Sequence, residues 1–463
     1  MAIHEARPGE GAHALSLLPQ FTRPGETGEV PRDRIPETGL PPDTAYQIVH
    51  DELLLDGNAR LNLASFVTTW MEPQARRLMD ECVDKNFIDR DEYPQTTELE
   101  RRCVRMIADL WSAPADGKPI GCSTTGSSEA CMLGGLALLR RWRERRRGEG
   151  REGGRPNLVM GANVQVCWEK FCRYWDVEPR KVPLGPGRTH LTAEGAVEHC
   201  DENTIGVVAI MGSTFDGSYE PVAEIAAALD RLQEERGLDV PIHVDAASGG
   251  FIAPFLDPDV AWDFRVPRVQ SINSSGHKYG LVYPGIGWII WRDREALPKE
   301  LIFDVDYLGG EMPTFALTFF RPGGQVAAQY YNLLRLGREG YRRVQQACRD
   351  TAKWLASRIA GLGPFELVSD GSAVPAFAFR LRDDVRGYTV FDISAGLRMR
   401  GWIVPAYPMP PRLEDVAVLR IVVRNGFSRD LASQLLADLE RVVRSLERTG
   451  RSYPEPQAIG FHH

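Results

Sequence analysis

The amino-acid sequence predicts an α/β protein with a large, mainly parallel sheet and a smaller α/β domain toward its C-terminal end. In the middle third of the chain, short apolar segments begin at residues 157, 204, 241 and 269 and alternate with helical segments such as EIAAALDRLQEERG. Such alternation is typical of a parallel sheet covered by helices on both faces. Near residue 345 the pattern changes to a long helix, then the strands AFAFRL and VLRIVVR, and a final helix.

The chain divides into regions of different composition. Its beginning is rich in proline, glycine and charge, which predicts an extended arm. The segment LNLASFVTTW at 61–70 is expected to begin a helical region, and TTELERRCVRMIADLW at 96–111 has the apolar spacing of a core-facing helix. We predict four regions: an N-terminal arm and helix (1–59), a large domain (60–345), a small C-terminal domain (346–449) and a tail (450–463).

The overall composition favours a folded protein that works on small molecules. The 463 residues are 43% hydrophobic and 25% charged, which is typical of globular chains. A net charge of -8 argues against nucleic-acid or anionic-membrane partners. The basic run at 140–147 is expected to be a solvated helix end. Eight cysteines without CxxC pairs, and an N-terminus unlike a signal peptide, predict reduced thiols and a cytoplasmic location.

A lysine follows the last predicted strand of the large sheet. The segment SINSSGHKYGL at 271–281 places Lys278 after a turn of small residues. A lysine shielded from water loses its proton more easily and can attack an aldehyde to form a Schiff base. Taken alone, this signal is weak, because most lysines are ordinary surface charges.

Two further segments can bind parts of a phosphorylated aromatic cofactor. In HVDAASGGF, Asp245 ends a buried strand and could pair with a pyridine nitrogen, although it could also cap the turn that follows. In TTGSSEACMLGG, Ser127 and Ser128 begin a strong helix, and a helix N-terminus binds anions. Ordinary N-capping explains these serines as well.

The chain order of the serine turn, the strand-end Asp245 and Lys278 resembles the fold-type I (aspartate aminotransferase-like) pyridoxal 5'-phosphate (PLP) enzymes. Within them it resembles the decarboxylases in which a histidine, here His277, precedes the lysine. From LNLASFVTTW through GSSEACMLGG, NVQVCWEKFCRYWDVE, SINSSGHKYG and RLGREGY, the chain is similar to bacterial glutamate decarboxylases. The resemblance implies conversion of L-glutamate to 4-aminobutanoate and CO2, with PLP as the sole cofactor and no metal.

The resemblance also implies roles for individual residues. Lys278, His277 and Asp245 are expected to be catalytic, although His277 could instead be structural. The expected cofactor-binding residues are Ser127, Ser128, Gln165, Thr214, Asp245, Ala247, Ser275, His277 and Lys278. Among these, the two serines bind phosphate, Gln165 lies over the ring, and Thr214 contacts its polar edge.

A second set of residues is implied for the substrate. Arg420 is expected to hold the α-carboxylate, as a guanidinium can in bidentate fashion, although it could be a salt-bridged strand arginine. Ser65, Phe66 and Asn86 are expected to reach the distal carboxylate from the neighbouring subunit. The chain departs from the bacterial pattern at Ser65, where threonine is usual, and at Phe320, where a phosphate-binding serine is usual.

The resemblance further implies a homodimer with shared active sites, often grouped as a hexamer, and no calmodulin-type control. His463 aligns with a histidine that blocks the active site as pH rises, although terminal histidines are also typical of an unstructured end. Because each turnover consumes a proton, a role in acid tolerance follows as a hypothesis. Two alternatives remain: a related decarboxylase of aspartate, cysteine sulfinate or an aromatic amino acid, and a PLP-binding regulator without activity.

Overall fold

The computed structural model describes residues 32–87, 92–114, 118–305, 312–318 and 321–449. The chain separates into two units between Ala59 and Arg60. The described part of the first unit contains helix α1 (Pro42–Leu53). This helix begins with proline, which is favourable at a first helical position because no backbone N–H is needed there.

The second unit is built around a seven-stranded sheet. Its strand order is β1-β7-β6-β5-β4-β2-β3; β7 is antiparallel to both of its neighbours, and every other pair is parallel. The strands β2 and β4 are buried along their whole length, as expected for strands covered on both faces. The seven strands are β1 (Ile120–Thr124), β2 (Asn157–Gly161), β3 (Glu178–Val182), β4 (Thr204–Ile210), β5 (Ile242–Asp245), β6 (Val269–Ser274) and β7 (Gly287–Trp291).

Helices cover this sheet and connect its strands. One of them approaches the sheet closely because it carries glycine at position 134, where a Cβ atom would lie 2.5 Å from the ring of His243. The helices of this region are α2 (Pro73–Asp80), α3 (Pro94–Leu110), α4 (Ser127–Gly148), α5 (Val166–Tyr174), α6 (Ala193–Glu198), α7 (Val222–Arg236) and α8 (Ala253–Leu256). Short 3-10 helices span Ala59–Leu61, Gly249–Phe251 and Lys299–Leu301.

The C-terminal part of the chain forms a smaller sheet with its own hydrophobic core. Its four strands are antiparallel in the order β10-β11-β13-β12, and Phe377, Phe379 and Leu419 are fully buried in the core beside them. The elements are the hairpin β8 (Phe303–Val305) and β9 (Met312–Thr314), helix α9 (Gly323–Ala360), β10 (Phe365–Leu367), β11 (Ala376–Leu381), α10 (Val390–Arg398), β12 (Ala406–Pro408), β13 (Ala417–Val422) and α11 (Arg429–Thr449).

Two local expectations differ from the structure. Residues 62–70 are not helical, because their backbone groups pair with distant segments: Leu63 N donates to Ile403 O at 2.8 Å and Thr68 N to His277 O at 2.8 Å. The long helix expected near residue 345 is the second part of α9, which is interrupted at Gly337 (φ 57°, ψ -172°), so it begins earlier than expected. Residue 345 lies within this second part of α9, so the predicted boundary between residues 345 and 346 falls inside a helix. The division into a large and a small domain remains a prediction.

The basic end of α4, at 140–147, differs in part from the expectation of a solvated helix end, because Arg143 and Arg147 are exposed but Trp142 is buried and Arg141 donates to Gln270. Within the described part of the chain, no helix combines the length and the hydrophobicity that crossing a bilayer requires.

Candidate active site

A cavity of about 320 Å³ opens where the carboxyl ends of β2, β4, β5 and β6 meet the N-termini of α4 and α5. In parallel α/β sheets this edge is where ligands bind. All nine residues predicted to bind the cofactor line this one cavity. They are Ser127, Ser128, Gln165, Thr214, Asp245, Ala247, Ser275, His277 and Lys278.

The N-terminus of α4 forms an anion cradle at one end of the cavity. Ser127 and Ser128 occupy the first two helical positions, where backbone N–H groups have no partner within the helix. The Ser275 hydroxyl donates to Ser127 Oγ at 2.7 Å, which links the cradle to the loop that carries Lys278. A Cβ atom at Gly126 would lie 3.0 Å from His277 Cε1, so glycine allows this close approach. The donors suit a phosphate group.

The Asp245 carboxylate lies at the other end of the cavity, at the end of β5, and only 6% of the residue is exposed. Oδ2 accepts a hydrogen bond from Trp168 Nε1 at 2.9 Å. Oδ1 accepts from Asn273 Nδ2 and from the backbone N–H of Ala247, both at 3.1 Å. These donors fix the carboxylate and stabilise its negative charge, so that it can pair with a protonated ring nitrogen.

The Lys278 ammonium faces the same cavity. Its Nζ donates to Ser248 Oγ at 3.3 Å and lies 5.2 Å from the centre of the Phe66 ring. Burial lowers the pKa of Lys278, and the nearby Arg420 charge lowers it further, whereas Asp245 raises it. A lowered pKa increases the fraction of neutral amine, which is the form that attacks an aldehyde.

His277 is held in a neutral state between the cradle and Lys278. Burial lowers the pKa of His277 to about 4, and the adjacent Lys278 charge acts in the same direction. Its Nδ1 accepts a hydrogen bond from the backbone N–H of Ile286 at 3.3 Å. The proton of the neutral ring is therefore on Nε2, which makes His277 a hydrogen-bond donor at this atom.

Arg420 lies on β13, next to the cavity but not in its lining. Its guanidinium is 5.0 Å from the Phe66 ring and 5.6 Å from the Tyr407 ring, and it donates to the backbone carbonyls of Thr214 and Ala64. Among the described residues, its buried Nε has no hydrogen-bond acceptor. The guanidinium is therefore fixed beside the cavity between two aromatic rings and two backbone carbonyls.

The placement of Phe66 differs from the expectation that it acts on a neighbouring subunit, whereas the role expected for Ser65 remains a prediction. Phe66 is between Lys278 and Arg420 of its own chain. The physical reason is that this segment is extended and is held beside the Lys278 loop by a hydrogen bond. Thr68 Oγ1 donates this bond to the backbone carbonyl of Lys278 at 2.5 Å. Ser65 follows the same course, and its Oγ accepts from the backbone N–H of Val67 at 3.1 Å.

The remaining predicted residues are outside this cavity or outside the described residues. Asn86 does not line the cavity; its Oδ1 accepts from the backbone N–H of Arg321 at 3.2 Å. Its role at a neighbouring subunit remains a prediction. Phe320 and His463 fall outside the residues that the structure describes.

Several residues that line the cavity or lie directly behind it were not predicted. Cys131 and Cys167 line the floor beside Asp245, and Trp168 holds that carboxylate from behind. Helical spacing could have indicated Cys131, which is four residues after Ser127 and so on the same face of α4. Trp168 had no such signal in the sequence, because its partner is 77 residues away.

A buried carboxyl group also supports the cavity wall. Glu220 Oε1 accepts from Asn163 Nδ2 and from the backbone N–H of Leu191, both at 3.0 Å, and Oε2 accepts from the backbone N–H of Ile210 at 2.7 Å. Burial raises the pKa of Glu220 to about 7. Because Asn163 lines the cavity, Glu220 joins three segments around it.

A lysine of lowered pKa, a fixed carboxylate opposite it and an anion cradle, at one edge of an α/β sheet, define the class of enzymes that bind a phosphorylated aldehyde cofactor through lysine. The comparison with known families agrees with this class. The family model described as the pyridoxal-dependent decarboxylase conserved domain matches residues 36–382. The chain belongs to the pyridoxal-dependent decarboxylase family, which confirms the predicted fold class and cofactor.

Similar proteins cover nearly the whole chain. It is 56% identical over 438 residues to the glutamate decarboxylase of Aliivibrio fischeri, with 94% of each chain covered. It is 53% identical to the glutamate decarboxylase of Solanum lycopersicum, with 90% of this chain and 84% of that one covered. The solved structure of glutamate decarboxylase from Lactobacillus brevis superposes with a TM-score of 0.89 at 46% identity, covering 92% of this chain and 97% of that one.

Proposed function

We propose that this chain removes the α-carboxylate of L-glutamate as CO2 and releases 4-aminobutanoate, with PLP as cofactor. The observation that carries the proposal is the convergence of Lys278, Asp245 and the α4 serine cradle on one cavity, with Arg420 beside it. The identity to glutamate decarboxylases over more than nine-tenths of the chain supports glutamate as the substrate.

The residues of the cavity fit this cofactor. Ser127, Ser128 and Ser275 provide hydroxyls at a helix N-terminus, which suits a phosphate dianion. His277 adds an Nε2–H donor from the neighbouring loop. The Asp245 carboxylate on the cavity floor is fixed by its donors and would pair with the ring nitrogen.

When bound, PLP supplies an electron sink for the electron pair that remains at Cα as the carboxylate leaves. Asp245 would keep a proton on the ring nitrogen, so that the pyridine ring continues to attract electrons. Lys278 Nζ would hold the cofactor at its aldehyde carbon, and the lowered pKa of this amine would favour its reactive neutral form. One proton is taken up at Cα for each CO2 released.

Arg420 would hold the substrate while this bond breaks. Its buried Nε–H lacks an acceptor among the described residues, and a carboxylate of glutamate supplies one. The aromatic rings of Phe66 and Tyr407 lie against the guanidinium and exclude water from it. Water exclusion strengthens the attraction between Arg420 and a carboxylate.

The assembly and the biological role are further parts of the proposal. We propose a homodimer in which Asn86 reaches the partner's substrate, with hexamers as a larger form, and a cytoplasmic role in 4-aminobutanoate metabolism or acid tolerance. His463 would block the site as pH rises. Removal of residues 450–463 tests this block, because an unchanged pH profile of activity contradicts it.

A substrate panel tests the central assignment. The purified protein with PLP is incubated with L-glutamate, L-aspartate, cysteine sulfinate and an aromatic amino acid, and the released CO2 is measured. We expect CO2 from glutamate at a rate well above that of the others. Faster release of CO2 from another amino acid would show that glutamate is not the preferred substrate. No release of CO2 from any of them would contradict the proposed activity.

A further inference from the structure

Two thiols converge with the cofactor-binding carboxylate on the cavity floor. Cys131 comes from α4, Cys167 from α5 and Asp245 from the end of β5. The two Sγ atoms and a carboxylate oxygen of Asp245 all lie within 4.8 Å of one another. All three residues are buried, and all three line the cavity.

This donor set suits a soft divalent cation. Thiolates and carboxylates are common zinc ligands, and tetrahedral coordination with Zn–S bonds of about 2.3 Å places two sulfurs about 3.8 Å apart. Small side-chain movements would close the present separation to that value. Three protein ligands leave a fourth position, which would face the open cavity. We propose that Cys131, Cys167 and Asp245 form a binding site for Zn²⁺ or a similar soft cation in the cofactor-free protein.

The surroundings of the site support the ligands. Trp168 Nε1 and Asn273 Nδ2 both donate to Asp245, which orients its oxygens as outer-shell partners of metal ligands do. The Cys131 thiol donates to Asp245 Oδ2 at 3.6 Å, so this thiol already points at its fellow ligand.

Charge and protons balance in the proposed complex. One divalent cation binds two thiols and one carboxylate, and the two thiol protons leave to solvent. The resulting group carries one net negative charge. The Lys278 ammonium, whose pKa responds to the charges of Asp245, Cys167 and Cys131, lies close enough to offset it.

The same atoms cannot serve the cation and the cofactor together, because Asp245 is the partner of the pyridine nitrogen. The cation would therefore bind only when PLP is absent, and it would prevent PLP from entering. Zinc or cadmium in excess would thus hold newly made or cofactor-depleted protein in an inactive form. This inference goes beyond decarboxylation and does not depend on which amino acid is the substrate.

The test uses the full chain freed of PLP, with a phosphine as reductant so that no added thiol competes. Cd²⁺ alone is titrated into it, and the near-ultraviolet absorbance of cadmium–thiolate bonds is recorded. We expect one tightly bound ion per chain with two thiolate bonds. We also expect that the PLP-loaded protein lacks this signal and that stoichiometric Zn²⁺ slows uptake of PLP by the cofactor-free protein.

Matched variants locate the site. Loss of an outer-shell partner typically weakens metal binding tenfold to a hundredfold, so Trp168→Phe should weaken Cd²⁺ binding by about tenfold, and Cys131→Ser or Cys167→Ser by more than about a hundredfold. Cys103→Ser, at a buried thiol outside the cavity, should leave binding unchanged. Far-ultraviolet circular dichroism confirms that each variant is folded.

Three outcomes would overturn the inference. The first is that the cofactor-free protein does not bind Cd²⁺. The second is that the absorbance signal persists when Cys131 and Cys167 are both replaced in a folded protein. The third is that PLP and the ion bind at the same time. None of these outcomes bears on glutamate turnover, so failure of the cation site is distinguishable from failure of the proposed activity.

Discussion

The indole Nε1 of Trp168 donates a hydrogen bond to Oδ2 of Asp245 at 2.9 Å, behind the cavity in which the cofactor-binding residues meet. Both groups are buried, so neither exchanges this bond for one to water. The orientation of the Asp245 carboxylate therefore depends on a residue that does not line the cavity itself.

Replacing Trp168 with phenylalanine should weaken cofactor binding. The variant keeps an aromatic ring against Phe171 and His243 but removes the N–H donor. A hydrogen bond to a charged group contributes about 1.5–3 kcal/mol, so we expect the dissociation constant of PLP to rise by roughly tenfold or more. The matched control is Trp142→Phe, which removes an indole bond to the Glu202 carbonyl away from the cavity. Equal PLP affinity in both variants, by equilibrium titration, would contradict this role.

Replacing Lys278 with alanine should abolish covalent retention of the cofactor. The variant lacks the amine, so PLP should be lost on gel filtration, and kcat should fall by roughly a thousandfold or more because the residue acts in the chemical step. Lys353→Ala, at an exposed position of α9, should behave as the wild type. A Lys278→Ala protein that keeps both visible cofactor absorbance and turnover would exclude the assignment.

Replacing Arg420 with lysine should raise KM for glutamate more than it lowers kcat. Lysine keeps the charge but loses the planar set of donors, two of which hold Thr214 and Ala64 in place. We expect a loss in kcat/KM of roughly tenfold to a hundredfold, corresponding to about 1.4–3 kcal/mol. The control is Arg380→Lys, whose ion pairs with Glu366 and Asp383 are on the surface. Unaltered values of kcat and KM for Arg420→Lys would contradict a role for Arg420 in substrate binding.

Replacing Glu220 with glutamine should change how stability depends on pH. Burial raises the pKa of Glu220 from 4.5 to about 7, so the folded protein binds more protons than the unfolded chain between these values. The stability of the wild type relative to Glu220→Gln should therefore fall as pH rises through this window, by roughly 3 kcal/mol in total. Urea unfolding at pH 4.5, 6 and 7.5 measures the difference, with Glu224→Gln on exposed α7 as control. A difference that stays constant with pH would contradict the raised pKa.

The large sheet was predictable where its strands are buried on both faces. Short segments with apolar residues, alternating with helical patterns, predicted β2, β4, β5 and β6, and the residues that follow such strands had to meet at one edge. Three strands were not predicted: β1, β3 and β7. The strand β3, Glu178–Val182, has a charged sequence, and β1 pairs with a strand more than 160 residues later in the chain. Neither feature provides a local sequence signal for a strand.

The candidate site, like the large sheet, was predictable from the sequence in part. Lys278, Asp245 and the α4 serines follow turns whose composition indicates their role. Phe66 was assigned to a neighbouring subunit because sequence alone does not show that residues 62–68 pair with the Lys278 loop. Contacts such as that between Trp168 and Asp245 depend on the tertiary fold, and no periodicity within either segment specifies them.

The central claim is that this chain exchanges the α-carboxylate of glutamate for a proton, and one experiment tests it most directly. The purified protein with PLP is incubated with L-glutamate in D₂O, and the products are followed by NMR. The proposed chemistry predicts 4-aminobutanoate with a single deuterium on the carbon that carried the carboxylate, in equal amount to the CO2 released. Formation of 2-oxoglutarate, or glutamate that remains unchanged while the protein holds PLP, would contradict it.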